Sequence, residues 1–136
     1  MLAEAALQFG RNQGFLPLCV TVLDTGGHSL VALRDERAAH YRHVIASAKA
    51  AGCLGMGMGG REITRRATAM PAFYGAVIAL TGGGLAPVAG GVLIRDHAGR
   101  LLGAVGVSGD TADNDELCAV SGITVAGFAA DTGAVV

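Results

Sequence analysis

Two separate segments of this 136-residue chain repeat the same order of apolar run, tight turn and second apolar run. The first is LCVTVLD-TGGH-SLVALRDE, over residues 18–36, and the second is GVLIRD-HAGR-LLGAVGVSG, over residues 91–109. Apolar, β-branched runs separated by glycine-containing turns predict β-hairpins, whose strands are antiparallel. Both hairpins are apolar on both faces, so we expect one sheet with helices packed against both of its sides.

Helices are predicted before, between and after the hairpins. Their expected ranges are 2–13, a stretch from about 39 that the glycines at 55, 57, 59 and 60 loosen or end, then 61–69, 72–81 and 114–130. Asp113 is the expected N-cap of the last helix, with Glu116 as its capping-box partner. The order helix, hairpin, helices, hairpin, helix predicts an α/β protein of the α+β type, with a single domain over residues 1–136.

The composition bears on possible partners. Only 15% of the residues are charged and 51% are hydrophobic, so we expect a homodimer or a higher homo-oligomer that buries apolar surface between copies. The net charge of −1 gives no sign of nucleic-acid binding. The uncharged stretch from 67 to 94 is broken by Pro71, Pro87 and the triple glycine at 82–84, so no membrane-spanning helix is predicted.

The cysteines give no sign of a metal or disulfide framework. Cys19, Cys53 and Cys118 are odd in number, widely spaced and without a CxxC pair, so the spacing predicts neither disulfides nor a zinc site. The N-terminal residues lack the basic leader and apolar block of a signal peptide, and we expect a cytoplasmic protein.

Several side chains have the chemistry of ligand binding. His40, Tyr41 and His43 precede or open the central helix and are residue types that bind haem iron. Lys49 is isolated among alanines; we expect its ammonium to reach solvent, and the alternative is that it faces an anionic ligand. The strand that ends at Ser108-Gly109 offers a hydroxyl group and backbone N–H groups to a ligand.

Four segments together resemble the GlcG/HbpS family over about residues 17–130: VTVLDTGGHSLVALRDE, IASAKAAG, GGVLIRDHAGRLLGAVGVSG and DNDELCAVSG. The resemblance implies a profilin-like domain, in which a central antiparallel five-stranded sheet has helices on both faces, and a tendency to form dimers and higher oligomers. Members of the family include haem-binding proteins, a protein encoded with glycolate oxidation genes, and a domain attached to PduO-type cobalamin adenosyltransferases.

The resemblance also points to individual positions. Lys49 matches the family's KA helix motif, Gly90 and Gly91 match its GG before a strand, and Ser108, Gly109 and Asp115 match its GVSG…D segment. The chain departs from the family pattern at Ala51-Gly52, where a Thr-Ala pair is common, and in the segment GMGMGG.

Three functions follow as hypotheses. The leading one is a small oligomeric protein that binds haem or a related tetrapyrrole, with His40, Tyr41 or His43 at the iron and Lys49 or an arginine at the propionates. The second is an enzyme or accessory protein acting on a small organic acid, with Asp115 or Glu116 as base and Lys49 or Arg34 as anion anchor. The third is a structural or interaction protein. The candidate ligand-binding residues are Arg34, His40, Tyr41, His43, Lys49, Gly90, Gly91, Ser108, Gly109, Asp115 and Glu116.

Overall fold

The computed structural model describes residues 1–135, which form five helices and five strands. In chain order the elements are α1 (Leu2–Gln13), β1 (Cys19–Asp24), β2 (Ser29–Arg34), α2 (Tyr41–Met56), α3 (Gly60–Ala69), α4 (Pro71–Leu80), β3 (Gly91–Arg95), β4 (Leu101–Ser108), α5 (Ala112–Val125) and β5 (Ala129–Asp131).

The strands form one antiparallel sheet in the order β2-β1-β4-β3-β5. The two predicted hairpins are β1-β2 and β3-β4, and they join through β1 and β4, where Cys19 lies opposite Ser108 and Asp24 lies opposite Gly103. Sequence-distant strands therefore pair at the centre of the sheet. The expected fold class, an α+β domain with a five-stranded antiparallel sheet, is confirmed.

Helices cover both faces of the sheet. Helices α1 and α5 pack against one face, where Val20, Val92 and Val105 are buried with Ile123 of α5. Helices α2, α3 and α4 lie on the other face, above a second buried cluster that includes Leu93. Alternate side chains of the central strands thus point into two separate apolar layers, which explains why these strands are apolar on both faces.

Helix α2 approaches the sheet so closely that backbone meets backbone. A Cβ atom at Gly106 of β4 would collide with the carbonyl oxygen of Ala46, and one at Gly91 of β3 would collide with that of Lys49. Glycine at these two positions therefore allows the close helix–sheet contact. Ala46 itself is fully buried in this contact.

The last helix differs from its prediction at both ends. Its N-cap is Thr111, whose Oγ1 accepts a hydrogen bond from the Asn114 N–H at 3.2 Å, while Asp113 lies in the first turn. The helix ends at Val125 and not at residue 130, because Gly127, at φ 87°, reverses the chain into β5. The predicted capping role of Asp113 is therefore wrong, and so is the predicted helical state of residues 126–130.

Strand β2 also differs from expectation. It ends at Arg34 and not at residue 36, and nearly all of its residues are exposed; Leu30, for example, is 63% exposed. The physical reason is its place at the edge of the sheet, because α2 packs over β1, β3 and β4 and does not reach across to cover β2. The prediction that both hairpins are covered on both faces is wrong for this strand.

Helix α4 is apolar but largely unburied. Of its ten residues only Tyr74 is buried, while Phe73 and Leu80 are 54% and 86% exposed. Within residues 1–135, none of the helices has both the length and the apolar character needed to cross a bilayer.

Candidate ligand-binding site

Lys49 and Asp115 form a buried ion pair. The Lys49 ammonium donates to Asp115 Oδ2 at 3.0 Å and to the Val107 carbonyl oxygen at 2.9 Å, and the two residues are only 4% and 1% exposed. Burial lowers the pKa of Lys49, and the facing Asp115 carboxylate opposes this shift. The expectation that the Lys49 ammonium reaches solvent is wrong, because the side chain lies on the face of α2 that packs against β4.

The second oxygen of the carboxylate is also used. Asp115 Oδ1 accepts a hydrogen bond from the Asp110 N–H at 2.9 Å, so the pair connects α2, β4 and the start of α5. Gly90 belongs to the same contact, because a Cβ there would lie 2.6 Å from Lys49 Nζ. With both charges satisfied and sealed from water, neither group is presented to an external ligand.

The other candidates at this end of the sheet also make internal contacts. Ser108 is fully buried, and its Oγ accepts a hydrogen bond from Arg42 Nη1 at 3.3 Å. A Cβ at Gly109 would collide with the Pro17 carbonyl oxygen. Glu116 accepts hydrogen bonds from Arg61 at 2.9 and 3.1 Å, which ties α5 to α3. These contacts stabilise the fold, so few polar groups at the end of β4 remain available to a ligand.

A groove lies on the open side of β2, where α2 begins. It is lined by Ala32, Leu33 and Arg34 of β2 together with His40 and His43, and its volume is about 370 Å³. We call this space the β2 groove. The groove exists because no helix covers β2, which is an edge strand. The exposed face of β2 forms one side of the groove, and the start of α2 forms the other. Three of the predicted candidates meet here.

A second groove runs along the outer side of α2 and has a volume of about 320 Å³. We call it the loop groove. Its lining residues are His43, Val44, Ser47, Ala48 and Ala51 of α2 and Thr81, Gly82, Gly83 and Gly84 of the loop after α4. Its walls are small or apolar apart from the His43 imidazole and the hydroxyls of Ser47 and Thr81. His43 is exposed and is the one residue that lines both grooves.

His40 and Tyr41 lie side by side at the start of α2. Their ring centroids are 4.5 Å apart with an angle of 57° between the planes, and Tyr41 is 69% exposed. His40 lines the β2 groove, and Tyr41 flanks its ring. All three residues of the predicted iron-binding set thus lie within one turn of the helix start.

Arg34 holds the connection between β2 and α2 in place. Its Nη1 atom donates to three carbonyl oxygens of that connection, those of Asp35, Glu36 and Ala38, at 3.2, 2.9 and 3.1 Å. Its Nε and Nη2 atoms make no hydrogen bond within residues 1–135. One side of the guanidinium therefore fixes the backbone that leads to His40, while the other side remains available.

Burial raises the pKa of all three cysteine thiols, Cys19, Cys53 and Cys118. Burial raises the pKa values of Cys53 and Cys118 to about 12, so neither thiol ionises near neutral pH. Across residues 1–135 there is no group of three or more histidine, cysteine or acidic side chains placed to hold a metal ion.

Sequence reasoning missed the loop groove. Its α2 wall is a row of small residues, Ser47, Ala48 and Ala51, and its other wall is the glycine-rich loop. The sequence does contain small residues on one helix and three consecutive glycines. Nothing in it shows that the loop after α4 lies against α2. Arg42 was also missed, although it contacts Ser108.

Comparison with known proteins identifies the family. The family model described as "Haem degrading protein HbpS-like" matches residues 1–124 of the chain. The chain belongs to the HbpS-like family. The resemblance found in the sequence motifs is thereby confirmed.

Solved structures of three other proteins share the fold. HbpS is 27% identical over 93% of this chain and 84% of its own, with a TM-score of 0.78. Protein ORFY of Klebsiella pneumoniae is 26% identical over 90% of this chain and 83% of its own, also with a TM-score of 0.78. PduOC, solved as a complex with heme, has a TM-score of 0.83 over 93% of this chain and 90% of its own; at 23% identity the likeness is one of fold. No curated protein sequence is significantly similar to the chain.

Proposed function

We propose that this HbpS-like protein binds haem, or a closely related tetrapyrrole, across the β2 groove and the loop groove, with His43 at the iron. The observation that carries the proposal is the position of His43, which lines both grooves. A flat ring system centred there would rest on both groove surfaces at once. The family description and the relatedness to HbpS support haem as the ligand, and PduOC was solved with heme.

The residues around His43 fit such a group. The His43 ring nitrogens make no hydrogen bond within residues 1–135, so one of them is available for an iron atom. Small residues such as Ala48 and Ala51 allow a flat ring to approach the helix, and Val44 adds apolar contact. When bound, haem would supply a redox-active iron; the chain supplies the imidazole, the apolar walls and the orientation.

His40 is the second candidate for the iron. It precedes His43 by three residues, a spacing that places both side chains on neighbouring parts of the helix surface, and it lines the same β2 groove. Tyr41 packs against the His40 ring, and we assign it the role of positioning that ring. We place His43 first because it alone of the three lines both grooves.

We also propose that the protein self-associates. The apolar residues Phe73 and Leu80 of α4 are exposed, and both grooves are open to solvent on one side. A second copy would bury this apolar surface. The alternative of an enzyme at the end of β4 gains no support from the structure, since Lys49 and Asp115 neutralise each other and Glu116 is bound by Arg61.

Hemin titration followed by the Soret band tests the haem proposal. Wild-type protein is expected to shift the band at stoichiometric hemin, and His43→Ala is expected to weaken binding at least about tenfold or to change the band position. The matched control is His28→Ala, because His28 is also an exposed histidine, lies in the β1-β2 turn and lines neither groove. Unchanged spectra and affinity in both His43→Ala and His40→Ala would show that the iron is not held here.

A further inference from the structure

We propose that Arg34 makes the β2 groove a carboxylate-selective subsite, so that the protein distinguishes tetrapyrroles with free carboxylate groups from their neutral esters. This inference rests on the proposed function and adds the ligand's chemical class to it. Three observations carry it: the charge of the groove, the partners of the neighbouring acids, and the unused side of the Arg34 guanidinium.

The first observation is the charge of the groove. Arg34 is the only permanently charged residue among the five that line it, and the others are Ala32, Leu33, His40 and His43. No acidic side chain is among them. A ligand lying on this surface therefore meets an arginine that no carboxylate in the groove wall neutralises.

The second observation is that the two acids next to Arg34 in sequence face elsewhere. Asp35 and Glu36 line a different cavity, of about 320 Å³, together with Arg11 and Arg37. Asp35 is also occupied, because its carboxylate accepts hydrogen bonds from the Leu18 N–H at 3.0 Å and from Arg11. Its side chain is accordingly only 14% exposed. The acid closest to Arg34 in sequence is thus held on the far side of the connection.

The third observation concerns the guanidinium itself. Nη1 is tied to the carbonyl oxygens of Asp35, Glu36 and Ala38, which restricts the rotation of an otherwise flexible side chain. Nε and Nη2 form the remaining edge, and two N–H groups on one edge match the two oxygens of a carboxylate. Because the side chain is already held, binding a carboxylate there costs little additional side-chain entropy.

The structure gives this role to Arg34 and not to Lys49. The Lys49 ammonium is buried against Asp115 and Val107, and it lines neither groove. A ring whose iron lies at His43 would extend over the β2 groove in the direction of Arg34, so a peripheral carboxylate is the group expected to reach the guanidinium.

The test compares hemin with hemin dimethyl ester, in which both propionates are neutral. Affinities for the two compounds are measured under identical conditions for wild type, Arg34→Met, Arg34→Lys and the control Arg37→Met. Arg37 is a matched arginine that lines the other cavity. The readout is the ratio of the two affinities, because a general disturbance of the groove would weaken both compounds alike.

We expect wild type to prefer hemin by about tenfold, the effect of a charge-assisted hydrogen-bonded pair at a partly exposed site. Arg34→Met should reduce the ratio to near one, Arg34→Lys should retain part of it, and Arg37→Met should retain all of it. A wild-type ratio near one, or a ratio unchanged in Arg34→Met, would overturn the assignment while leaving haem binding intact. If wild type binds neither compound, the proposed function itself fails.

A further arm separates the carboxylate from the ring. Propionate alone carries the carboxylate without the ring system, and it is titrated into the protein by calorimetry. Binding at millimolar concentration or weaker is the expected result, because the ring contacts are missing. Propionate binding as tight as that of hemin would overturn the tetrapyrrole assignment and would favour a small organic acid as the ligand.

Discussion

Lys49 Nζ lies 3.0 Å from Asp115 Oδ2, and their separation of 66 positions in the sequence means that this contact depends on the complete tertiary fold. It joins α2 to the first turn of α5 at the end of β4. Because both side chains are sealed from water, each charge depends on the other.

Removal of one partner is therefore expected to be severe. Lys49→Met leaves a buried carboxylate without its cation, and Asp115→Asn leaves a buried ammonium; each should lower the free energy of unfolding by about 3–5 kcal/mol. The double variant should cost clearly less than the sum of the two. Urea unfolding of all three variants provides the measurement.

The control for the Lys49 and Asp115 variants is Arg66→Met. Arg66 pairs with Glu62 on the exposed surface of α3, and its loss should change stability by no more than about 0.5 kcal/mol. Strict additivity of the two buried substitutions would contradict the view that the buried charges depend on each other.

Acid stability should depend on Asp110. Hydrogen bonds from the backbone N–H groups of Leu16 and Thr111 and from the Asn114 side chain lower the pKa of this carboxyl group. A carboxyl whose pKa is lower in the folded than in the unfolded protein contributes stability above its unfolded value, and this contribution disappears as the pH falls through the folded value.

The measurement is the free energy of unfolding from pH 7 down to below pH 3.8, the ordinary value for an aspartate. Asp110→Asn should be less stable than wild type at pH 7, and the difference should shrink as the pH falls below 3.8. The same difference at both ends of the range would show that the carboxylate charge plays no part.

The backbone contact between α2 and β4 predicts that alanine substitutions at two glycines have opposite effects on stability. Gly106→Ala forces a methyl group against the Ala46 carbonyl, so it should destabilise the protein by at least about 1–3 kcal/mol. Gly55→Ala, in α2, meets open space and should be neutral or stabilising by up to about 1 kcal/mol, since alanine favours helix. Thermal unfolding distinguishes the two; equal effects would mean that α2 does not rest on the β4 backbone.

Self-association through α4 is tested by Leu80→Glu. Leu80 is 86% exposed, and a charge there should shift the molar mass measured by light scattering towards that of a single chain. Val125→Glu is the control, because Val125 is 62% exposed at the end of α5. An unchanged mass for Leu80→Glu, or an equal shift for both variants, would remove α4 from the contact between copies.

The sequence predicted the elements with strong local patterns and failed where a partner was distant. Both hairpins followed from apolar runs around short turns, and these turns are held locally, as by the Asp24 carboxylate that accepts from the Gly26 and His28 N–H groups at 3.0 Å. Strand β5 was missed because three residues carry no periodic pattern of their own, and they become a strand only by pairing with β3.

The same distinction between local and distant contacts applies to the candidate site. His40, Tyr41 and His43 were chosen as candidates by residue type, and they lie close together because all three are at the start of one helix. The burial of Lys49 could not be predicted, because its partner carboxylate lies 66 positions later in the sequence and no local pattern indicates it. That Arg34 shares a groove with the histidines depends on β2 being an edge strand, which hydrophobic pattern alone does not reveal.

At Gly106 and Gly91 the sheet offers no side chain, so the backbone of α2 rests directly on the backbone of β4 and β3 at these two points. A backbone-to-backbone contact has no side chain that can rotate, so the distance between α2 and the sheet at these two points cannot adjust by a change of rotamer. His43 lies three residues before Ala46, which meets Gly106, so this part of α2 rests on the sheet, and adjustment to a guest molecule falls to the edge strand and the glycine loop on either side.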